Sequence, residues 1–237
     1  MDSTCYLISD LHLTSDRPDT FKAFAKFVSG EAAKLKLYIL GDLFEAWLGD
    51  DDDSSLANEV RIILKTFTDT GGQLYIMPGN RDFLLGEAFC ETVGATLLTD
   101  PTVHIIGSKP TLLMHGDTLC TDDTEYQKFR KMSRDPSWKT NILSKSLEER
   151  RDLAKNLRQM SSEANSNKAE SIMDVNTSTV DEFMGLYDIT QLIHGHTHRP
   201  QHHQETFGDR WVLGAWEKEA WILKITDNER LLKAIRI

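Results

Sequence analysis

Tyr6-Leu7-Ile8-Ser9-Asp10-Leu11-His12 passes from three apolar residues into a carboxylate and an imidazole two positions apart. Four other stretches repeat the arrangement. Leu37-Tyr38-Ile39-Leu40 leads into Gly41-Asp42, Leu74-Tyr75-Ile76-Met77 into Gly79-Asn80-Arg81-Asp82, Thr111-Leu112-Leu113-Met114 into His115-Gly116-Asp117, and Leu192-Ile193 into Gly195-His196-Thr197-His198. Short apolar runs of this kind read as buried strands. Between the first three, Phe21, Phe24, Ala25 and Val28, then Val60, Ile63, Leu64 and Phe67, recur three or four apart as on one face of a helix. The alternation predicts an α/β fold with a largely parallel sheet. Because the carboxyl ends of such strands share one crevice, the five polar clusters should meet there.

Toward the C-terminus the pattern changes. Arg210–Leu213, Ala220–Ile225 and Leu231–Ile235 are separated by polar turns such as Asp227-Asn228-Glu229, which predicts antiparallel strands, placed in a second sheet packed on the first. From about Thr121 to Leu186 no strand is convincing. Leu143, Leu147, Leu153, Leu157 and Met160 keep a rough helical period there, so this stretch reads as a helical insertion. Residues 126–168 hold eleven of the 27 basic residues against five of the 37 acidic ones, a local charge of +6 in a chain of net charge −10. A solvated helical face is the common outcome of such a charge run; an anion-receiving cap over a site in the acidic core is the functional alternative.

A chain of 237 residues with 40% hydrophobic and 27% charged residues can bury one large core, and disorder is excluded. Its negative charge argues against a nucleic-acid partner. Cys5, Cys90 and Cys120 are odd in number and lack any C-x-x-C spacing, which points to a reducing compartment and neither a disulfide framework nor a zinc knuckle. No stretch approaches 18 consecutive apolar residues, so at most peripheral membrane contact is expected.

The strand-end clusters offer carboxylate, amide oxygen and imidazole together, the mixed oxygen and nitrogen set suited to Mn, Fe or Zn. In Asp10-x-His12 and His196-x-His198 an extended backbone points both side chains the same way. Each cluster alone is a weak signal, since a lone Gly-Asp is usually a turn and a lone His usually a bonded core residue. Five in order, each directly after a strand, are far more specific. His104, His194, His202 and His203 lack such context and read as strand or loop residues.

The ordered set D-x-H, G-D, G-N-x-D, H and G-H-x-H, spanning Asp10 to His198, resembles the calcineurin-like metallophosphoesterases. That resemblance implies a four-layer sandwich, two mixed sheets flanked by helices, with a core of residues 1–120 and 187–237 and a helical lid over 121–186. It implies two metal ions, one held by Asp10, His12, Asp42 and His198, the other by Asp42, Asn80, His115 and His196, with Asp42 bridging. The third motif departs from the commonest form, which has His where this chain has Arg81. An arginine stays protonated and cannot serve as a proton donor to an alkoxide, so it fits a substrate with a good leaving group such as a pyrophosphate.

Further stretches, Phe44-Glu45-Ala46-Trp47, Met77-Pro78, Arg199-Pro200 and, in the insert, Asn165-Ser166-Asn167-Lys168 before Ile172-Met173-Asp174-Val175-Asn176, are similar to the branch of that family acting on UDP-2,3-diacylglucosamine in bacterial lipid A biosynthesis. The resemblance implies a Mn2+-dependent pyrophosphatase using two ions, which yields UMP and 2,3-diacylglucosamine 1-phosphate at the cytoplasmic side of the inner membrane. It implies substrate contacts from Asn80, Arg81, Asp123, Tyr126, Arg158, Ser161, Asn165, Lys168 and His196. On a helix Arg158, Ser161, Asn165 and Lys168 form one polar stripe, which favours the cap reading of the basic segment. The apolar Phe129, Met132, Trp138, Ile142 and Leu143 could line an acyl-chain cleft or form a small core of the insert. Another phosphoesterase activity and a non-catalytic scaffold are the alternatives. Seven ligands kept in order argue against the scaffold.

Overall fold

The computed structural model describes residues 4–166 and 172–237; of residues 162 and 164–166 the backbone alone is described. The alternation of side chains along each strand builds the layers. In β1 (Cys5–Ile8), Tyr6 and Ile8 face one way, and Cys5 and Leu7 the other. β2 (Lys36–Leu40) divides in the same manner, with Leu37 and Ile39 on the first face and Tyr38 and Leu40 on the second. The first face is covered by α1 (Pro18–Ser29), α2 (Ser55–Asp69) and α3 (Glu87–Val93), through Phe24, Phe27, Val60, Leu64, Phe67 and Phe89. Ser54 caps α2 by accepting from the Ala57 N–H, and Pro18 opens α1, where its missing N–H costs nothing. The second face packs against the other sheet through Leu113, Ile193, Trp211 and Leu213.

The first sheet has six strands in the order β11-β10-β1-β2-β3-β4, with β3 (Gln73–Met77), β4 (Ala95–Leu97), β10 (Glu219–Ile225) and β11 (Arg230–Arg236) completing it. β1 to β4 are parallel, whereas β10 and β11 are antiparallel additions. The second sheet runs β5-β6-β7-β9-β8, with β5 (Thr102–Ile106), β6 (Lys109–Met114), β7 (Gln191–His194), β8 (Gln201–Glu205) and β9 (Gly208–Val212). The C-terminal strands thus divide between the sheets instead of sharing the second. β9 lies parallel to β7, while β10 extends the first sheet beside β1. Ala220 and Ile222 face one way and Leu223 and Ile225 the other, so both faces of β10 are apolar, as a strand inside the sandwich requires; that pattern suits either sheet, and pairing with β1 selects the first.

Among the described residues of 121–186 are four helices, α4 (Thr124–Ser133), α5 (Pro136–Leu143), α6 (Leu147–Ser166) and α7 (Thr177–Leu186). Val180 and Met184 of α7 pack on Leu112, Met114 and Leu192, so α7 forms the fourth layer over the second sheet. α4 to α6 stand over the crevice at the strand ends, tied down by arginines. Arg130 Nε donates to Asp117 Oδ2 at 3.0 Å, Arg134 Nη2 to the Gly79 carbonyl at 2.9 Å, and Arg150 Nη1 to the Leu48 carbonyl at 2.6 Å and Asp51 Oδ1 at 2.7 Å.

His194, on β7, is fully buried with Nε2 3.3 Å from the Arg210 guanidinium. Burial, and then the charge of Arg210, hold its pKa down to about 3. An unfolded histidine takes up its proton near pH 6.5, so between that value and 3 folding excludes a proton. Stability is full above 6.5 and falls as the pH drops toward 3, at up to about 1.4 kcal/mol per pH unit for this one group. In metal-free protein, His194→Gln should therefore flatten the acid-side slope of Tm against pH relative to the wild type; parallel slopes would show that His194 is not the excluded proton site.

Candidate functional site

Five strands deliver their polar ends to one place. Asp10 and His12 follow β1, Asp42 follows β2, Asn80 and Arg81 follow β3, His115 follows β6, and His196 and His198 follow β7. The backbone there is unusual. Asp10 (φ 56°), His12 (47°), Asp42 (55°), His196 (68°) and His198 (55°) are all left-handed, and only two other non-glycine residues among those described share that conformation. Left-handed backbone at residues with a Cβ costs on the order of 1 kcal/mol each and persists where surrounding structure enforces it. The enforcing bonds are visible. Asp10 N–H donates to the Gly41 carbonyl at 3.1 Å, His12 N–H to the Asp42 carbonyl at 2.9 Å, and Trp216 N–H to the Asp10 carbonyl at 3.0 Å. Gly79 has no room for a side chain, because a Cβ would lie 2.2 Å from Asp42 Oδ1; at Gly41 (φ 92°) it would lie 2.3 Å from His115 Nδ1.

The side chains converge in two groups. His12 Nε2 and His198 Nε2 are 3.2 Å apart, and Asp10 Oδ1 lies 3.3 Å from His198 Nε2 and 4.0 Å from His12 Nε2. Asp42 faces both groups, its Oδ2 3.9 Å from His12 Nε2 and its Oδ1 3.8 Å from His115 Nε2. Asn80 Oδ1 is 2.8 Å from His115 Nε2 and 2.9 Å from His196 Nδ1. Two sets, Asp10-His12-His198 and Asp10-Asp42-His115, keep their ligand atoms within 4.8 Å of one another. Among the described residues Asp10 Oδ1 is buried without a hydrogen bond, an arrangement that costs free energy until a cation occupies the centre of the group. The residues present therefore fit divalent metal.

Electrostatics point the same way. Burial, reinforced by the neighbouring Asp82 and Asp10, pushes the Asp42 carboxyl up to about 7 despite His115. Burial also opposes ionisation of Asp10, but contact with His198 and the charges of His115 and His12 outweigh it and hold this carboxyl well below its usual range. Burial lowers His12 to about 3 and, with the charge of His115, His196 to about 4, so both imidazoles stay neutral and keep a lone pair for a metal. His115 goes up to about 9 against its burial, because Asp42, Asp10 and Asp117 surround it. Its Nδ1 is 2.9 Å from the Leu40 carbonyl, which directs Nε2 into the site.

Five of the nine proposed substrate-contacting residues reach a cavity of about 300 Å³ beside this centre, under α4 to α6. Asn80, Arg81, Tyr126, Arg158 and Ser161 line it, together with Trp47, Phe83, Phe129, Trp138 and Leu153. Tyr126 sets its ring 5.7 Å from that of His196 and donates its hydroxyl to Asp117 Oδ2 at 2.6 Å. Asp123 is buried and caps α4 by accepting from the Tyr126 N–H at 3.1 Å. Arg158 is ion-paired with Glu45. The side chain of Asn165 and the whole of Lys168 lie outside the described residues. Among the apolar residues of the insert, Phe129, Trp138 and Ile142 line the cavity, with Ile142 also joined to the main core, whereas Met132 and Leu143 are exposed.

Three supporting acids escape the sequence reading. Asp82 accepts from the N–H groups of Gly79, Asp42 and Leu43, at 2.6, 3.2 and 2.8 Å. Asp117 receives Tyr126 and Arg130. Both belong to motifs already quoted, so position was the available signal. Glu45 lacked even that. It lies 3.4 Å from His12 Nδ1, which has no hydrogen bond, while its other oxygen holds Arg158.

The calcineurin-like phosphoesterase family model matches residues 4–200. Over 231 residues the chain is 47% identical to a UDP-2,3-diacylglucosamine hydrolase of Chromohalobacter salexigens, covering 95% of this chain and 94% of that protein. It is 46% identical over 222 residues to another of that name from Aromatoleum aromaticum, at 92% and 91% coverage. Among solved structures, an archaeal phosphodiesterase matches with a TM-score of 0.51 at 13% identity over 99% of both chains, a likeness of fold.

A carboxylate beside the remote nitrogen of a ligating histidine fixes its orientation and typically contributes 10- to 100-fold to metal affinity. Glu45→Ala should accordingly weaken divalent-metal binding by roughly that factor, read by competition with a chelating dye. Unchanged affinity would leave Glu45 no role toward His12.

Proposed function

The chain belongs to the calcineurin-like phosphoesterase family, and we propose that it hydrolyses the pyrophosphate bond of UDP-2,3-diacylglucosamine, giving UMP and 2,3-diacylglucosamine 1-phosphate, with two Mn2+ ions as its cofactor. The observation that carries this reading is continuity. Asn80, which touches His115 and His196, and its neighbour Arg81 also line an apolar cavity large enough to begin an acyl-chain site. A site for phosphate chemistry thus opens directly onto one for lipid, as an acylated nucleotide sugar requires. The names of the relatives support the same substrate.

Asp10, His12, Asp42 and His198 would hold one ion, and Asp42, Asn80, His115 and His196 the other. Bound divalent ions supply an activated water and positive charge for the phosphoryl oxygens. The remaining work falls to the chain. Arg81 sits at the cavity wall with its backbone N–H bonded to Asp42 Oδ1 at 2.7 Å and its buried Nε without a hydrogen bond among the described residues, a donor placed to meet a phosphate oxygen. Arg158 can exchange Glu45 for a second phosphate oxygen. The attacking water oxygen bonds to the nucleotide phosphorus as the bridging P–O bond breaks. The departing sugar phosphate has a final pKa of about 6, so it leaves as an anion without a proton donor. An alkoxide would need one, and Arg81 cannot supply it. This chemistry favours the pyrophosphate over simple phosphoesters.

Mass spectrometry of products from UDP-2,3-diacylglucosamine and Mn2+ tests the assignment; water from 18O-enriched solvent should label UMP. Arg81→Ala should lower kcat/KM by 100-fold or so, the equivalent of about 3 kcal/mol. Equal rates for wild type and variant would rule out the clamp.

The lipid resides in a membrane, and among the described residues no helix is long and apolar enough to cross one. We place the protein at the cytoplasmic surface of the inner membrane, held peripherally by the insert. Exposed Met132, Leu143 and Met160 lie among exposed Lys131, Arg151 and Lys155 on α4 to α6. Each basic residue near an anionic surface contributes roughly 1 kcal/mol. Replacing all three with Glu should abolish co-sedimentation with phosphatidylglycerol vesicles, and salt should release the wild type; binding indifferent to both would assign this face another use.

A further inference from the structure

A second cavity, of about 1020 Å³, reaches the metal-ligand cluster at His198, and none of the described cap residues lines it. Its wall includes His198, Asp16, Arg17, Glu217, Trp221 and Arg236, and no residue is common to its lining and that of the cap cavity. His198 stands at the boundary, its Nε2 3.2 Å from His12 Nε2 and its side chain 38% exposed. Arg17 is fixed there by donating to the carbonyls of His12 at 2.5 Å and Trp216 at 3.3 Å. The ligand cluster therefore lies between an apolar cavity and a polar groove.

Resting on the substrate reading above, we infer that this groove receives the nucleoside of the substrate, ribose and base, while the nucleotide phosphate stays at the metal centre. A pyrophosphate cut in its middle carries its lipid half and its nucleoside half on different bonds of the reacting phosphorus, so the two halves need separate sites. The cap cavity accounts for the first. The groove suits the second by its chemistry. Asp16, Asp19, Glu217 and Glu219 outnumber Arg17, Lys218 and Arg236 in it, which disfavours a further phosphate. Carboxylates accept hydrogen bonds from ribose hydroxyls and from the imide N–H of uracil, and the half-buried Trp221 offers the groove an indole for a planar base. The open groove imposes no snug outline, so recognition rests on these polar contacts and on stacking.

The test is inhibition by UMP and steady-state kinetics on UDP-2,3-diacylglucosamine with Mn2+-loaded enzyme. Base–aromatic stacking is worth roughly 5- to 150-fold in binding. Trp221→Ala should raise both Ki for UMP and KM for the lipid nucleotide by about tenfold or more, changing KM more than kcat. Trp221→Phe should restore most of the loss. Affinity for 2,3-diacylglucosamine 1-phosphate should change in neither. Trp221 belongs to β10, so Asp16→Asn/Glu217→Gln, at two exposed positions, carries the test if the alanine variant does not fold; it should raise Ki for UMP several-fold and reduce the preference for UMP over its 2′-deoxy form. Hydrolysis by the wild type with UMP inhibition indifferent to these substitutions overturns the groove alone. Failure of the wild type to cleave the lipid nucleotide overturns the substrate reading and the groove with it.

Discussion

Asp82 is fully buried and accepts from four N–H groups on two different loops, those of Asp42, Leu43 and Phe44 after β2 and that of Gly79 after β3. Those bonds lock the two loops together, and the clasp brings Asp42 against Asn80 and Arg81. It also creates a conflict. Asp42, Asp82 and Asp10 crowd a region from which water is excluded, and burial raises the pKa of both Asp82 and Asp42. Nearby His115 offsets part of this by taking up a proton. A divalent cation would displace that proton, leaving His115 a neutral ligand, and would itself offset the carboxylate repulsion, so one structural clasp and one electrostatic debt explain why this centre is built for metal.

The convergence of the candidate ligands was legible in the sequence because each directly follows a buried strand, and strand ends in a parallel sheet have one place to meet. Strands without apolar runs were not legible. β8, Gln201-His202-His203-Gln204-Glu205, is polar and forms the sheet edge, and β4 is three residues long, so neither carries the hydrophobic signal from which strands are recognised. β5 is an edge strand as well, paired on one side by β6. The placement of β10 was hidden for another reason. Its apolar residues announce a strand, but the partner strand is chosen by long-range packing against β1, which no local pattern encodes.

Charge segregation in the insert has a use that composition alone concealed. Arg130, Arg134, Arg150 and Arg158 bond to Asp117, Gly79, Asp51 and Glu45 on the core, so much of the local positive charge is turned inward as mooring. The cap is held on the acidic core by its own cations. Of these moorings Arg158–Glu45 lies nearest His12, and Glu45 touches both partners. An anion drawing Arg158 toward itself would leave Glu45 facing His12 alone, so occupancy of the cap and the orientation of a metal ligand are mechanically linked.

The left-handed backbone at five ligand residues bears on how the centre fills. Asp10, His12 and Asp42 are posed by main-chain hydrogen bonds between the loops after β1 and β2, and the His196 N–H is held by Asp10 Oδ2, bonds that exist before any ion arrives. A cation thus finds its ligands already aimed and does not have to gather them. The side chains of Asp10, Asp42, His12 and His115 are sealed, whereas His198 is 38% exposed. An ion can then reach or leave the centre beside His198, from the polar groove, as well as beside Asn80, from the cap cavity, and neither route asks the sealed ligands to move.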